Sequence, residues 1–420
     1  MKRLIAAVLA VTSCAAIAQA QTALSVEARG TLSLEQALSM AGASAPQLEV
    51  AQAGISVAAA GRTIAGLRPN PQISIDTENV AGSGPYKGAR NMEATTSVSL
   101  PIELGGKRAA RIGVADAQSR RAAIQAAIMQ ADLRYSVIQT YSEAAAAQQR
   151  LATVQYQAGI ATEGLRAARV RVEAGRASPI EIQRADVARI NAVAEVERTE
   201  RLVQVSRFSL SKIIGQSFTG DLDIGWFSSV QSVYGPLQEI ETANTLAMAA
   251  AEADLAVADA GVRLARAQRV PDLTAGAGAR YFRDTGDTAA VISLTIPFPL
   301  FNNGKAAVAQ ASSERLRADA QKRVTVLEVD QAIARAQAEA ANAATSAVTA
   351  KGPALAAAEE TARIARIGYR EGKFSQLELL DAERTLAETQ ISAVDALLTY
   401  HNTQAQLERL TARAPDTQGN

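Results

Sequence analysis

Glu173-Ala174-Gly175-Arg176-Ala177-Ser178 and Arg370-Glu371-Gly372-Lys373-Phe374-Ser375 are two versions of one turn, with their glycines 197 residues apart. In each, a charged helical stretch stops at a glycine and restarts behind a serine. Glycine tolerates the backbone geometry of a sharp helix end, and Ser178 or Ser375 can cap the returning helix. Further landmarks recur outward from these turns. Pro101-Ile102-Glu103-Leu104-Gly105-Gly106-Lys107 answers to Pro299-Leu300-Phe301-Asn302-Asn303-Gly304-Lys305 at an offset of 198, and Pro71 of Arg68–Pro71 answers to Pro271 of Arg269–Pro271 at 200. Spacing, rather than identity, carries this repeat. It marks duplication of a whole strand-and-helix unit, much longer than the roughly 20–50-residue period of a solenoid.

The stretch leading to the first turn holds no proline between Pro101 and Pro179 and few glycines before Gly175. A helix is therefore predicted from about Lys107 to Ala174, roughly 100 Å long at 1.5 Å per residue. Within it, Ile124, Ile128, Ala131, Tyr135 and Ile138 step by 4, 3, 4 and 3, the rhythm of a coiled-coil seam. Gly304 to Glu371 repeats the long helix, with Gly352-Pro353 placed to bend it. Shorter helices are predicted over 34–67 and 179–214, and again over 237–267 and 376–410. Each repeat can then build one continuous and one broken column of similar length, standing side by side.

Four segments alternate with period two and read as strands. They are 72–79, 96–102, 272–282 and 290–298, each with one apolar and one polar face; Ile73 and Ile75, for instance, alternate with Ser74 and Asp76. This length and alternation fit a membrane β-barrel. The linking stretches Val80–Asn91 and Arg283–Thr288 are rich in glycine and polar residues, as solvated loops are. Phe282, Phe298 and Phe301 lie near strand ends, where either an interfacial aromatic girdle or ordinary packing accommodates them. Four strands per chain cannot close a barrel, which needs at least about eight, and open edges in lipid leave backbone groups unsatisfied. Two chains would supply eight strands and three would supply twelve; strand arithmetic alone does not choose.

Composition narrows the function. Aromatics make up 4% of the 420 residues, so alanine-rich helices with thin, close contacts replace a conventional large-residue core. A net charge of +1 argues against a nucleic-acid binder relying on a strong positive field. Beyond the N-terminus no apolar run reaches the roughly 18 residues of a helical membrane span. The N-terminus itself reads as an export signal over residues 1–20: basic Lys2-Arg3, mostly apolar Leu4–Ile17, and small residues at Ala18-Gln19-Ala20. Val11-Thr12-Ser13-Cys14 also has the form of a lipoprotein processing box, with Cys14 as its lipidated residue. Cleavage after Ala20 is the preferred reading, and it leaves a mature chain without cysteine.

Taken together, these residues resemble the TolC superfamily of outer-membrane efflux ducts over essentially the whole mature chain. Asn70-Pro71, Glu78-Asn79 and Leu100–Arg108 further resemble the branch serving cobalt–zinc–cadmium exporters, the CzcC-like proteins. The resemblance implies a mainly α protein with a membrane β-barrel part: a homotrimer with an α-helical tunnel in the periplasm and a shared twelve-stranded β-barrel, four strands per chain, in the bacterial outer membrane. It implies a periplasmic adaptor and an inner-membrane RND pump as partners, and outer-membrane lipid around the barrel. By the same resemblance Gly175, Arg176, Ala177, Ser178, Gly372, Lys373, Phe374 and Ser375 are adaptor-contacting tips. Glu378 and Asp381 fall where acidic residues ring the tunnel entrance, and their spacing of three puts both on one helix face. Glu181 and Tyr369 fall where a closed-state link between helices is found. Phe374 departs from a pattern in which some members carry arginine. The bland alternative for Glu378 and Asp381 is a solvated surface face.

The implied organisation is a signal peptide over 1–20, a first repeat over 21–215, an inter-repeat equatorial segment over 216–235, a second repeat over 236–411 and a tail over 412–420. The expected function is a passive exit duct for divalent heavy-metal cations. Two alternatives stand beside it: a duct for drugs or other small molecules, and an exported coiled-coil structural or adaptor protein without a channel. The four alternating strands speak against the latter. No catalytic constellation is present, since His401 is the only histidine and neither a nucleophile elbow nor a phosphate loop occurs. Gly105-Gly106-Lys107 reads as a strand-to-helix turn. One histidine and no mature cysteine make a soft-metal site improbable, so neither a bound metal, a cofactor nor nucleic acid is expected.

Overall fold

The computed structural model describes residues 31–231 and 240–415. The export signal over 1–20, Cys14, part of the 216–235 segment and the end of the 412–420 tail lie outside these residues. The chain folds as two compact units. One is built from residues up to 45, 136–233 and 342–402, and the other from 46–135, 234–341 and 403–420.

The second of these units carries the sheet. Helix α2 (Pro46–Ala65) leads to strand β1 (Gln72–Glu78), then β2 (Glu93–Ile102) and the start of the long helix α3 (Lys107–Glu173). Helix α6 (Leu246–Ala267) leads likewise to β3 (Leu273–Phe282), β4 (Thr288–Thr295) and the start of α7 (Lys305–Thr349). The strands form one antiparallel sheet in the order β1-β2-β3-β4. Its register pairs Ile73 with Val98, Val98 with Ala277, and Ala277 with Ile292, so one apolar row crosses the whole sheet. A second row on that face contains Leu100, Ala275 and Leu294. The face is uncovered: Ile292 is 88% exposed and Phe301, just beyond β4, is 98% exposed.

The expected closed barrel is not present. Among the described residues the sheet is open, four strands wide, with β1 and β4 each paired on one side only. Four strands cannot curl far enough to bring their own edges within hydrogen-bonding distance. Nor is any helix among the described residues long and apolar enough to cross a membrane. The chain is thus mainly α-helical, with a small open sheet, rather than the shared twelve-stranded barrel the resemblance implied.

The junction between helix and sheet is heavily hydrogen-bonded. Carbonyl groups at the end of α2 have no intrahelical partner. Arg108 donates to the carbonyl of Gly66 at 2.5 Å, and Arg111 to those of Ala65 and Leu67 at 3.3 and 3.1 Å. Arg111 also forms a two-armed ion pair with Glu103, which holds that carboxyl below its usual range. Gly105 adopts φ +70°, and a Cβ there would stand 2.6 Å from Val270 Cβ and 2.9 Å from the Ala267 carbonyl oxygen. Glycine at this position meets both a backbone and a space requirement.

The other unit is helical. It contains α1 (Leu34–Ser44), the rest of α3, α4 (Ile180–Ile214), the short α5 (Ile224–Phe227), α8 (Leu355–Arg370) and most of α9 (Gln376–Leu410). The helix predicted over 34–67 is broken at Ala45, whose backbone is extended because Pro46 follows. The expected bend at Gly352-Pro353 takes the form of a π-helical turn over Ala350–Ala354, where the missing proline N–H interrupts the ladder between α7 and α8. Along the proposed seam, Ile124 and Ile138 are buried while Ile128, Ala131 and Tyr135 are only half-buried. Alanines such as Ala144, Ala145, Ala168, Ala347 and Ala362 fill the buried helix faces. Tyr141 is completely buried, its hydroxyl 2.8 and 3.0 Å from the carbonyl oxygens of Leu32 and Asp223. His401 lies 2.8 Å from the Phe227 carbonyl oxygen and 4.0 Å, ring to ring, from Trp226. The lone histidine thus anchors the inter-repeat segment.

Candidate functional site: the paired helical tips

Both tips end their first helix in the same way. Gly175 has φ +69° and Gly372 has φ +71°. At the first tip the amide of Arg176 donates to the carbonyl of Arg171 at 2.8 Å, and that of Gly175 to Val172 at 2.9 Å. At the second, Lys373 donates to Gly368 at 2.8 Å and Gly372 to Tyr369 at 3.1 Å. These are the two crossed bonds of a Schellman motif, which satisfies the last carbonyls of a helix and requires a left-handed residue just after it. No atom lies within 4 Å of a Cβ built on either glycine. Conformation, not crowding, therefore selects glycine at both turns.

The returning helices start differently. Ser375 and Glu378 form a capping box: the Glu378 amide donates to Ser375 Oγ at 3.3 Å, and Glu378 Oε2 accepts from the Ser375 amide at 2.7 Å and its hydroxyl at 2.8 Å. That amide and hydroxyl hold the Glu378 carboxyl below its usual range. No side-chain cap forms at the start of α4, where Pro179 occupies the cap position instead of Ser178. Asp381 pairs with Arg384 at 2.9 Å on an exposed surface. Glu378, Asp381 and Phe374 line a shallow groove between α8 and α9. Arg176, Ala177 and Lys373 sit in the turns themselves.

Glu181 and Tyr369 lie just behind the tips, yet they share no hydrogen bond. The link between the two hairpins runs through residues that sequence reasoning missed. Arg171 lies over the Tyr369 ring, 4.5 Å from its centroid, and donates to the Tyr369 carbonyl at 3.3 Å. Gln376 donates from Nε2 to the Glu181 carbonyl at 2.9 Å. Burial pushes the Tyr369 phenol up, against the pull of the Arg171 charge. Three buried atoms here have no hydrogen-bond partner: Tyr369 Oη, Glu181 Oε2 and Gln376 Oε1.

Two further residues shape the second tip. Gly368 is needed for space: a Cβ there would stand 2.7 Å from Phe374 Cγ and closer still to Cδ2. Phe374, which departs from the family pattern, thus folds back over the end of α8. Arg366 grips Glu383 with two bonds of 2.5 and 2.8 Å, joining α8 to α9, and Glu383 is buried. Arg171 and Gly368 each fall four residues before a tip glycine, a spacing that marks the last turn of the helix.

Among the described residues no group of three or more His, Cys, Asp or Glu is arranged to hold a metal ion. Among the described residues the tips offer no constellation for covalent or acid–base chemistry.

Comparison with known proteins places this geometry. The family described as outer membrane efflux protein matches the chain in two stretches, 37–216 and 238–413. A relative described as cobalt-zinc-cadmium resistance protein CzcC, from Cupriavidus metallidurans, is 30% identical over 406 residues, covering 95% of this chain and 96% of its own. Nickel and cobalt resistance protein CnrC of the same organism is 31% identical over 306 residues, covering 72% and 70%. Among solved structures, the outer membrane protein VceC of Vibrio cholerae superposes with a TM-score of 0.72 at 20% identity, covering 91% of this chain and 96% of that one.

Proposed function

The chain belongs to the outer membrane efflux protein family, and from that premise we propose that it is the outer-membrane exit channel for divalent heavy-metal cations in a tripartite efflux system. The near full-length similarity to a cobalt-zinc-cadmium resistance protein carries this reading. The chain resides in the outer membrane with its helical part in the periplasm; it conducts substrate and catalyses no reaction.

Its partners are a periplasmic adaptor and an inner-membrane pump of the RND type, and the channel works as a homotrimer. Adaptor docking falls to Gly175–Ser178 and Gly372–Ser375. Their exposure and their shared Schellman geometry support this, because two like turns present like surfaces. Glu378 and Asp381 attract cations to the entrance, and Glu181 and Tyr369, with Arg171 and Gln376, hold the hairpins together. The uncovered apolar face of the sheet suits contact with lipid.

Deletion of the gene tests the function. Cells lacking it should accumulate zinc, cobalt or cadmium and lose resistance, wild type should restore both, and Gly372→Trp should restore neither while still reaching the outer membrane. Unchanged metal tolerance combined with new sensitivity to neutral drugs would transfer the channel to the small-molecule class.

A further inference from the structure

Behind the tips, between α3, α4 and α9, lies a cavity of about 220 Å³. Its walls are mostly apolar, with Ile160, Leu379 and Leu380 as the large groups and Gly164, Ala185 and Ala188 leaving the room. A Cβ built on Gly164 would meet nothing within 4 Å. Tyr369 and Gln376 also line the cavity, are about 95% buried, and bring to it a phenol oxygen and an amide oxygen without hydrogen-bond partners. A buried polar atom left unpaired is costly, and native proteins rarely carry two in one place without a use.

The charged side chains that line the cavity, Glu383 and Arg384, are already matched. Arg366 occupies both oxygens of Glu383, and Arg384 pairs with Asp381 at the exposed edge. No lining charge is left unpaired for an ionic ligand. Size sets the rest: a dry apolar cavity of about 150 Å³ holds benzene, so this one admits a ring with a few further atoms.

We propose that the cavity is a binding site for a small neutral aromatic alcohol of the alkylphenol class. The ligand's hydroxyl donates to Gln376 Oε1 or bonds Tyr369 Oη, and its apolar body fills the space beside Gly164 and Ala188. Seated there, it braces the two hairpins against each other. Binding is independent of the export reading, because it needs only the folded chain.

The test is titration calorimetry on the detergent-purified full-length protein with 4-propylphenol, and with propylbenzene as the same body without the hydroxyl. 4-Propylphenol should bind with a dissociation constant of about 0.1–1 mM, and propylbenzene about tenfold more weakly. Gln376→Leu and Tyr369→Phe should each narrow that preference severalfold. Gly164→Leu, which fills the cavity, should abolish binding of both compounds, and Ala188→Leu provides a second filling variant. Far-UV circular dichroism checks that each variant is folded. Partition into detergent is common to all variants, so differences among them report the cavity. Equal affinity for the two compounds, or 4-propylphenol binding that survives in both filled variants, overturns the proposal. So does a lack of binding to the wild type at 10 mM, roughly ten times the weakest expected constant.

Discussion

The second tip contains two glycines that the structure assigns to different physical tasks, and substituting alanine separates them. Gly372 stands at φ +71° with open space around it. Alanine there should cost about 1–2 kcal/mol for the left-handed backbone, which is about a fivefold to thirtyfold change in an equilibrium. Gly368 is helical, and its Cβ would run into the Phe374 ring. Alanine at 368 gains about 0.8–1 kcal/mol in helix propensity but loses about 1–3 kcal/mol by overpacking, a net cost of roughly 0–2 kcal/mol. Removing the ring with Phe374→Ala leaves only the propensity gain. In that background Gly368→Ala should become stabilising by about 1 kcal/mol, whereas Gly372→Ala should cost what it did before. Hydrogen exchange of the Lys373 amide, which donates to the Gly368 carbonyl, reads local opening of the tip directly. If Gly368→Ala costs the same with and without the Phe374 ring, crowding is not the reason for this glycine. If the cost of Gly372→Ala disappears with the ring, its backbone is not the reason either.

Removing Arg366 strands the buried Glu383 carboxylate: Arg366→Met should destabilise by about 2–3 kcal/mol, below the usual 3–5 for a fully buried pair because the arginine is about one-third exposed. Adding Glu383→Gln should recover part of that loss in a thermal melt. Gly105→Ala combines a left-handed backbone with contact against Val270 and should lower the melting temperature more than Gly372→Ala does, since packing and conformation both suffer. Burial lowers the pKa of His401, so its neutral form stabilises the fold fully above about pH 6.5 and this stability is lost as pH falls from there through the folded value. Trp226, the only tryptophan, lies against that ring and should report the transition by fluorescence, and His401→Gln should remove it. The Glu378 cap follows the same sign: its contribution is complete above the ordinary carboxylate pKa and declines as pH drops through the lowered one, seen as a falling protection factor, relative to the intrinsic rate, of the Ser375 amide that donates to this carboxylate.

Much of this protein was legible in the chain itself. Period-two alternation gave strands near the observed β1 to β4, and the absence of proline from 102 to 178 marked α3, because both signals are local and backbone geometry acts within a few residues. Repeated Gly175 and Gly372 marked the turns for the same reason: only glycine takes the left-handed position without strain. What lay beyond the sequence was pairing at long range. The order β1-β2-β3-β4 depends on which edge meets which across some 170 residues, and sheet width and closure are properties of the assembled strands, so counting them suggested a barrel where the chain has an open sheet. The partners across the tip link lay beyond the sequence likewise. Glu181 and Tyr369 were placed where a link between helices is found, and the side chains that reach them are those of Gln376 and Arg171. Which of several polar side chains reaches across between hairpins is decided by rotation of the helices about their axes, and a single sequence does not record that rotation.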